Sequence, residues 1–166
     1  MRKRKNSTFA LFFLKSQRVG IDTSVEEFQS RIIETQKQFP WLVCEMNTEI
    51  VGYAYANIHR SRSAYDWSVE STVYVSDRHQ SKGVGKALYQ TLFKLLKGQG
   101  IVNIIAGITL PNPNSVRLHE KLGFVQIGQL KGIGFKFDQW WDVGWWQLQL
   151  QNPLRPKSLS PYSKEF

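Results

Sequence analysis

The chain has 166 residues, of which 42% are hydrophobic and 13% aromatic, and its formal net charge is +9. This length suits one domain with a substantial core, and no apolar run approaches the ~20 residues that a membrane span needs. The one cysteine, Cys44, excludes an internal disulfide framework and predicts a reducing, cytoplasmic location.

The positive charge could indicate a nucleic-acid-binding protein, but its distribution argues against that class. Residues 1–5 carry four basic side chains, and residues 152–166 carry three basic and one acidic. The rest of the chain has 15 basic and 12 acidic residues, a balance of +3. We therefore expect most of the excess in terminal tails, and a modestly positive domain also suits an anionic cofactor.

The first half of the chain predicts a helix followed by strands. A six-residue apolar stretch at 9–14 could be a short buried strand, and no signal-peptide cleavage site follows it. Thr23 and Ser24 favour a helix start, and that helix should end before Pro40. Residues 41–45 and 50–56 form a predicted hairpin, and 66–75 a long strand.

The middle of the chain predicts an anion site. Val73, Tyr74 and Val75 end a strand, and a polar loop follows over 77–82. A helix then begins at Gly83–Gly85, shows a leucine face, and should end at Gly98 and Gly100. The spacing is Q-x-x-G-x-G, which is neither the P-loop nor the dinucleotide pattern. Unpaired N–H groups at such a helix start bind phosphates.

The second half predicts a buried strand at 101–110, a helix at 116–122 capped by Asn114 or Ser115, and strands at 124–130 and 143–150. A turn should occupy 131–134, and residues 152–166 should form a flexible tail. Strands that alternate with helices indicate an α/β layered fold with a mixed sheet. The domain should therefore span residues 23–151, preceded by an atypical segment at 1–22.

A series of motifs resembles the phosphinothricin acetyltransferase branch of the GNAT N-acetyltransferase superfamily. The glycine loop resembles that superfamily's pyrophosphate loop, and the resemblance covers roughly residues 24 to 150. Residues 1–22 depart from it, because they lack the acidic, alanine-rich start that helps wall the acceptor site in relatives. The matching segments are 52–56, 60–67, 69–75, 110–112, 115–124 and 141–148.

The resemblance implies a mixed, mostly antiparallel sheet flanked by helices, and transfer of acetyl from acetyl-CoA to a primary amine. Acceptors of related enzymes are amino-acid analogues such as phosphinothricin, methionine sulfoximine and methionine sulfone, and no metal is expected. The alternative is a catalytically impaired module that binds CoA or nucleic acid on the same scaffold. The aromatic segment with Trp140, Trp141, Trp145 and Trp146 predicts core packing and a homodimer contact.

The resemblance also suggests roles for individual residues. Glu70 would be the general base, unless it is a structural carboxylate paired with Arg60 or Arg62. His119 would protonate the leaving thiolate, unless it is a half-buried histidine bonded to a carbonyl. Arg60, Arg62 and Tyr65 would hold the acceptor's carboxylate. Predicted cofactor contacts are Val73, Tyr74, Val75, Gln80, Ser81, Lys82, Gly83, Val84, Gly85, Lys86, Asn112 and Ser115.

Overall fold

A computed structural model describes residues 24–162 of the chain. The predictions for residues 1–22 lie outside this range. The described part contains helices α1 (Val25–Thr35), α2 (Val84–Gln99) and α3 (Pro113–Lys121), with strands β1 (Trp41–Met46), β2 (Glu49–Ile58), β3 (Ser68–Val75), β4 (Asn103–Leu110), β5 (Val125–Lys136) and β6 (Gln139–Gln149).

The strands form one sheet in the order β1-β2-β3-β4-β6-β5. Only the β3–β4 pair is parallel within the described chain, because α2 crosses over between these two strands. All the other neighbouring strands of this sheet pair antiparallel. The prediction of an α/β fold with a mixed, mostly antiparallel sheet is therefore confirmed.

The parallel strands β3 and β4 separate after a short shared ladder. Their pairing covers Ser68 to Glu70 on β3 and Asn103 to Ile105 on β4, and it stops there although both strands continue. On its outer side, β3 stays paired with β2 as far as Val75. Strand β4 stays paired with β6 as far as Leu110. A wedge-shaped gap with two unpaired main-chain edges therefore opens in the middle of the sheet.

Two hydrophobic clusters cover the two faces of the sheet. On one face, Leu88 and Leu92 of α2 pack with Val69 of β3 in the main core. On the other face, Phe28 of α1 packs against Trp41 and a set of stacked tyrosines. Because side chains alternate along a strand, consecutive residues of β3 face different helices.

Several predicted boundaries are confirmed, and others are wrong. Ser24 caps α1 by accepting a hydrogen bond from the Glu27 N–H at 3.1 Å. Gly98 lies inside α2, and Gly100, at φ +97°, ends it. Helix α3 starts at Pro113 and its cap is Asn112, because proline suits the first helical position.

The C-terminal hairpin is longer than predicted. Strand β5 continues through the expected turn at 131–134, and the chain reverses at Phe137 and Asp138, which both have positive φ. The pairing is irregular between Leu130 and Gly134, where Asp142 of β6 accepts a hydrogen bond from the Gly132 N–H at 2.8 Å. This side-chain contact to the main chain accommodates the extra residues without ending the hairpin.

The segment after β6 is irregular, but part of it packs on the domain. Leu159 joins the main core, and the Ser160 N–H donates to the Gln99 carbonyl at 2.9 Å. The Trp67 indole donates to the Lys157 carbonyl at 2.7 Å. The predicted flexible tail therefore does not begin at residue 152, because these contacts hold the chain as far as Ser160. No helix in residues 24–162 is long and apolar enough to cross a membrane.

Candidate active site

Glu70 lies at the point where the gap between β3 and β4 begins. It is the last β3 residue that pairs with β4, and its side chain points to the α1 face. Its side chain contacts His59, whose Nδ1 is 2.9 Å from Glu70 Oε1. The predicted alternative, an ion pair of Glu70 with Arg60 or Arg62, is not formed. Glu70 is thus a partly exposed carboxylate at the apex of the gap.

A small cavity, connected to this carboxylate through His59 and Tyr65, contains the predicted acceptor-binding residues. Arg60, Ser61, Arg62 and Tyr65 line a space of about 340 Å³. The Arg60 guanidinium carbon lies 5.2 Å from the centre of the Tyr65 ring, within cation–π range. The structure therefore brings two arginines together in one concave site that can bind a carboxylate.

The edge of β3 presents alternate main-chain groups to the gap. The Ser76 N–H donates to the Val51 carbonyl of β2, so even-numbered residues of β3 direct their main chain toward β2. Val73 and Val75 therefore direct their N–H and C=O groups toward the gap. Tyr74 directs its main chain toward β2, and its ring stacks on Tyr53 at 5.1 Å.

The glycine loop has the geometry of an anion site. Ser81 and Gly83 both have positive φ, at +60° and +85°, and Gly83 immediately precedes α2. The Ala87 N–H donates to the Gly83 carbonyl at 3.0 Å, so the N–H groups of the preceding helical residues point out of the helix end. Exposed members of the loop are Gln80, Ser81, Lys82, Gly83 and Lys86, whereas Val84 and Gly85 are buried.

Gly85 has a packing role that the sequence analysis did not foresee. A Cβ atom at this position would lie 2.9 Å from Leu118 Cδ2 of α3 and 3.6 Å from Val75 Cγ2. At Gly83, by contrast, a Cβ atom would meet open space. Gly85 therefore allows α2 to approach α3 closely, and Gly83 supplies the left-handed turn.

The start of α3 borders a second, larger cavity. Asn112 Oδ1 accepts from the Ser115 N–H at 3.1 Å, so both predicted residues take part in the helix cap. Asn112 also lines a cavity of about 670 Å³ with Leu110, Val116, Trp140 and Trp141. This cavity adjoins the end of β4 and has neither Glu70 nor His119 in its lining.

His119 belongs to a buried chain of hydrogen bonds on the α2 face. Its Nε2 is 2.8 Å from the Tyr89 hydroxyl, and that hydroxyl is 3.3 Å from Ser71 Oγ. Its Nδ1 is 2.7 Å from the Ser115 carbonyl oxygen. Because a carbonyl only accepts, Nδ1 carries the proton and Nε2 accepts from Tyr89. The residue is 3% exposed.

Burial shifts the pKa values of two groups in this chain. Desolvation lowers the pKa of His119 below 6.5, and the hydrogen bond to the Ser115 carbonyl opposes this only in part. Desolvation also raises the pKa of Tyr89 far above its ordinary value. Both groups are therefore neutral near pH 7.

The gap separates two kinds of chemistry. Glu70 lies on the α1 face, and the next residue, Ser71, begins the hydrogen-bonded chain on the α2 face. A group bound in the gap would therefore have a carboxylate on one side and a hydroxyl–imidazole chain on the other. No cluster of three or more His, Cys, Asp or Glu side chains in residues 24–162 is arranged to hold a metal ion.

Three residues of the site were not predicted from the sequence. Tyr89 and Ser71 look like ordinary core positions in their helix and strand. His59 could not be found from the sequence either, because its position depends on the register of β2 and β3: Asn57 pairs with Glu70, and His59 is two residues further along. Diagonal neighbours of this kind share a face of the sheet.

Comparisons with known proteins show the family to which this chain is similar. A family model described as an acetyltransferase (GNAT) domain matches residues 12–145. The phosphinothricin N-acetyltransferase of Streptomyces viridochromogenes is 44% identical over 139 residues, covering 84% of this chain and 76% of that protein. The L-methionine sulfoximine/L-methionine sulfone acetyltransferase of Salmonella typhimurium is 38% identical, covering 71% and 69%.

A solved structure has the same fold with its cofactor bound. The phosphinothricin acetyltransferase of Sinorhizobium meliloti, in complex with acetyl-CoA, superposes with a TM-score of 0.78 at 29% identity. The match covers 97% of this chain and 90% of the other.

Proposed function

Because the chain belongs to the GNAT acetyltransferase family and is an acetyl-CoA-dependent N-acetyltransferase, we propose that its acceptor is the primary amine of a small amino acid or amino-acid analogue. Phosphinothricin and methionine sulfone or sulfoximine are the first compounds to test, since relatives are named for them. The observation that carries this proposal is the two-arginine cavity, which His59 and Tyr65 connect to Glu70.

The residues of the gap suit an extended acyl-CoA. The main-chain edges at Val73 and Val75 can pair with the amides of a pantetheine arm, as a neighbouring strand would. The loop from Gln80 to Lys86 can then hold the pyrophosphate with its N–H groups, and Lys82 and Lys86 add positive charge. Asn112 and Ser115 border the same end of the gap. When bound, acetyl-CoA supplies the activated acetyl group.

At the acceptor end, the arginines orient the substrate and Glu70 takes a proton. Arg60 and Arg62 bind the α-carboxylate, which fixes the amine near the apex of the gap. Glu70 accepts the proton that the amine loses on forming the new amide bond, directly or through one water molecule. This role requires an ionised carboxylate with one oxygen free to accept.

At the other end, His119 acts through the buried chain. The Tyr89 and Ser71 hydroxyls link its Nε2 to the gap, so a proton can reach the departing sulfur without His119 touching it. Since the neutral form of His119 dominates near pH 7, only its small protonated fraction serves as acid. We therefore assign His119 a smaller share of the rate than Glu70.

We further propose a cytoplasmic homodimer. The β5–β6 hairpin exposes a set of large apolar side chains that would be unusual on a monomer, and a second copy could cover them. A cytoplasmic location fits the dependence on acetyl-CoA and the single cysteine. The exposed residues are Val125, Ile127, Leu130, Ile133, Phe135, Phe137 and Trp140.

The acceptor proposal is tested by steady-state kinetics with a panel of amines. We expect methionine sulfone or phosphinothricin to be acetylated, and the matching amines without a carboxylate to be poor substrates. Arg60→Ala and Arg62→Ala should each raise the acceptor KM by about tenfold or more and leave the KM for acetyl-CoA unchanged. Equal activity on amines without a carboxylate would refute the carboxylate site. Tight CoA binding without any transfer would favour the impaired module.

A further inference from the structure

His59 and Glu70 form a close pair on the α1 face of the sheet. The distance from His59 Nδ1 to Glu70 Oε1 is 2.9 Å, and the two side chains are 21% and 39% exposed. Because an ionised carboxylate can only accept hydrogen bonds, Nδ1 carries the hydrogen when Glu70 is ready to act as a base. In residues 24–162 no hydrogen bond reaches Glu70 Oε2. That oxygen remains for the incoming proton.

The His59 ring also contacts Tyr65, which lines the acceptor cavity. The two rings meet edge to face, with centroids 6.2 Å apart and planes at 81°. Tyr65 in turn lies under the Arg60 guanidinium. A continuous series of contacts therefore runs from the carboxylate through His59 and Tyr65 to an arginine of the acceptor cavity.

We propose that His59 is a positioning residue that holds the Glu70 carboxylate in register with the acceptor cavity, by donating a hydrogen bond from Nδ1 to Oε1. This inference rests on the proposed function. Glu70 has a flexible side chain at a partly exposed site, and without a fixed donor it would spend less time with Oε2 directed at the amine. The Tyr65 contact sets the plane of the imidazole and so the direction of its N–H.

Two substitutions separate the hydrogen bond from the ring packing. His59→Phe keeps an aromatic ring against Tyr65 but removes the donor, whereas His59→Asn removes the ring and keeps an N–H near the position of Nδ1. We expect His59→Phe to lower kcat by about tenfold or more, with the KM for acetyl-CoA within about twofold of wild type. His59→Asn should stay within about threefold of the wild-type kcat.

Two kinetic results would overturn the proposal. If the folded His59→Phe protein kept the wild-type kcat, the hydrogen bond would not position the base. If His59→Asn were as slow as His59→Phe, the donor would not be the feature that matters.

A measurement without turnover separates this proposal from the acceptor assignment. Nitrogen-15 NMR of the imidazole in wild type should show the tautomer protonated at Nδ1, and Glu70→Ala should lose that preference. The opposite tautomer in wild type would overturn the pairing. If wild type acetylated no amino-acid acceptor but showed the Nδ1–H tautomer, the acceptor proposal would fail and the His59–Glu70 contact would stand.

Discussion

At the scale of single residues, Glu70→Gln is the sharpest test of the proposed base. The amide oxygen can still accept from His59 Nδ1, so the local packing should survive. The amide cannot take the amine's proton, and we expect kcat to fall by roughly 10²–10⁴-fold. Calorimetry should show unchanged CoA affinity. Near wild-type kcat at neutral pH would assign Glu70 a structural role and require another base.

His119 should make the stability of the protein depend on pH. Its pKa in the folded state lies below the ordinary 6.5, so acid favours the unfolded chain, which binds the proton more readily. The free energy of unfolding should therefore fall as the pH drops below about 6.5, by at most ~1.4 kcal/mol per pH unit from this group. Urea titrations of wild type and His119→Phe at pH 7.5 and 5.5 should show a smaller loss in the variant. Equal losses of unfolding free energy in the two proteins would show that His119 is not the source of this pH dependence.

The residue roles were only partly predictable from the sequence. Glu70 and His119 could be singled out because their motifs are specific in combination. The residues around them could not be predicted, since the Tyr89 partner of His119 comes from another helix, 30 residues away. The His59–Glu70 contact depends on the register of a hairpin, which the strand pattern alone does not fix.

At the scale of elements, the start of α2 tests the packing role of Gly85. Gly85→Val should press on Leu118 and destabilise the protein by about 1–3 kcal/mol. Adding Leu118→Ala should recover part of that loss, because the shorter side chain makes room for the new one. Denaturant unfolding of the four proteins in this double-mutant cycle measures the coupling. Strict additivity would mean that the two residues do not compete for space.

Helix and strand order followed from the sequence, but several ends did not. The leucine face and Gly100 define α2 because both signals are local. The C-terminal hairpin differs because Asp142 stabilises an irregularity in β5, and this contact joins two strands. The glycine-containing segment at 131–134 resembles a turn in the sequence, but in the structure it is part of β5. Helix α3 starts earlier than predicted for a local reason, since Pro113 and Asn112 both favour the earlier position.

At the scale of the whole molecule, the exposed hairpin predicts self-association. Trp140 is 65% exposed, and Trp140→Glu should place a charge in the proposed contact and shift the protein toward monomer. Ile33→Glu is a matched control, because Ile33 is similarly exposed at 61% but lies on α1. Light scattering at micromolar concentration measures the oligomeric state of both variants. A monomeric wild type would remove the homodimer proposal.

The divergence of β3 and β4 leaves an incomplete sheet, which the pantetheine arm completes in the proposed complex. The N–H groups of Val73 and Val75 should exchange with deuterium quickly in the free protein and slowly with CoA bound, whereas that of Tyr74 is already protected by β2. Any ligand that binds only the folded chain also stabilises it, by about 2.7 kcal/mol at a concentration one hundred times its Kd. The resistance of this enzyme to heat and proteolysis should therefore rise with the concentration of acetyl-CoA.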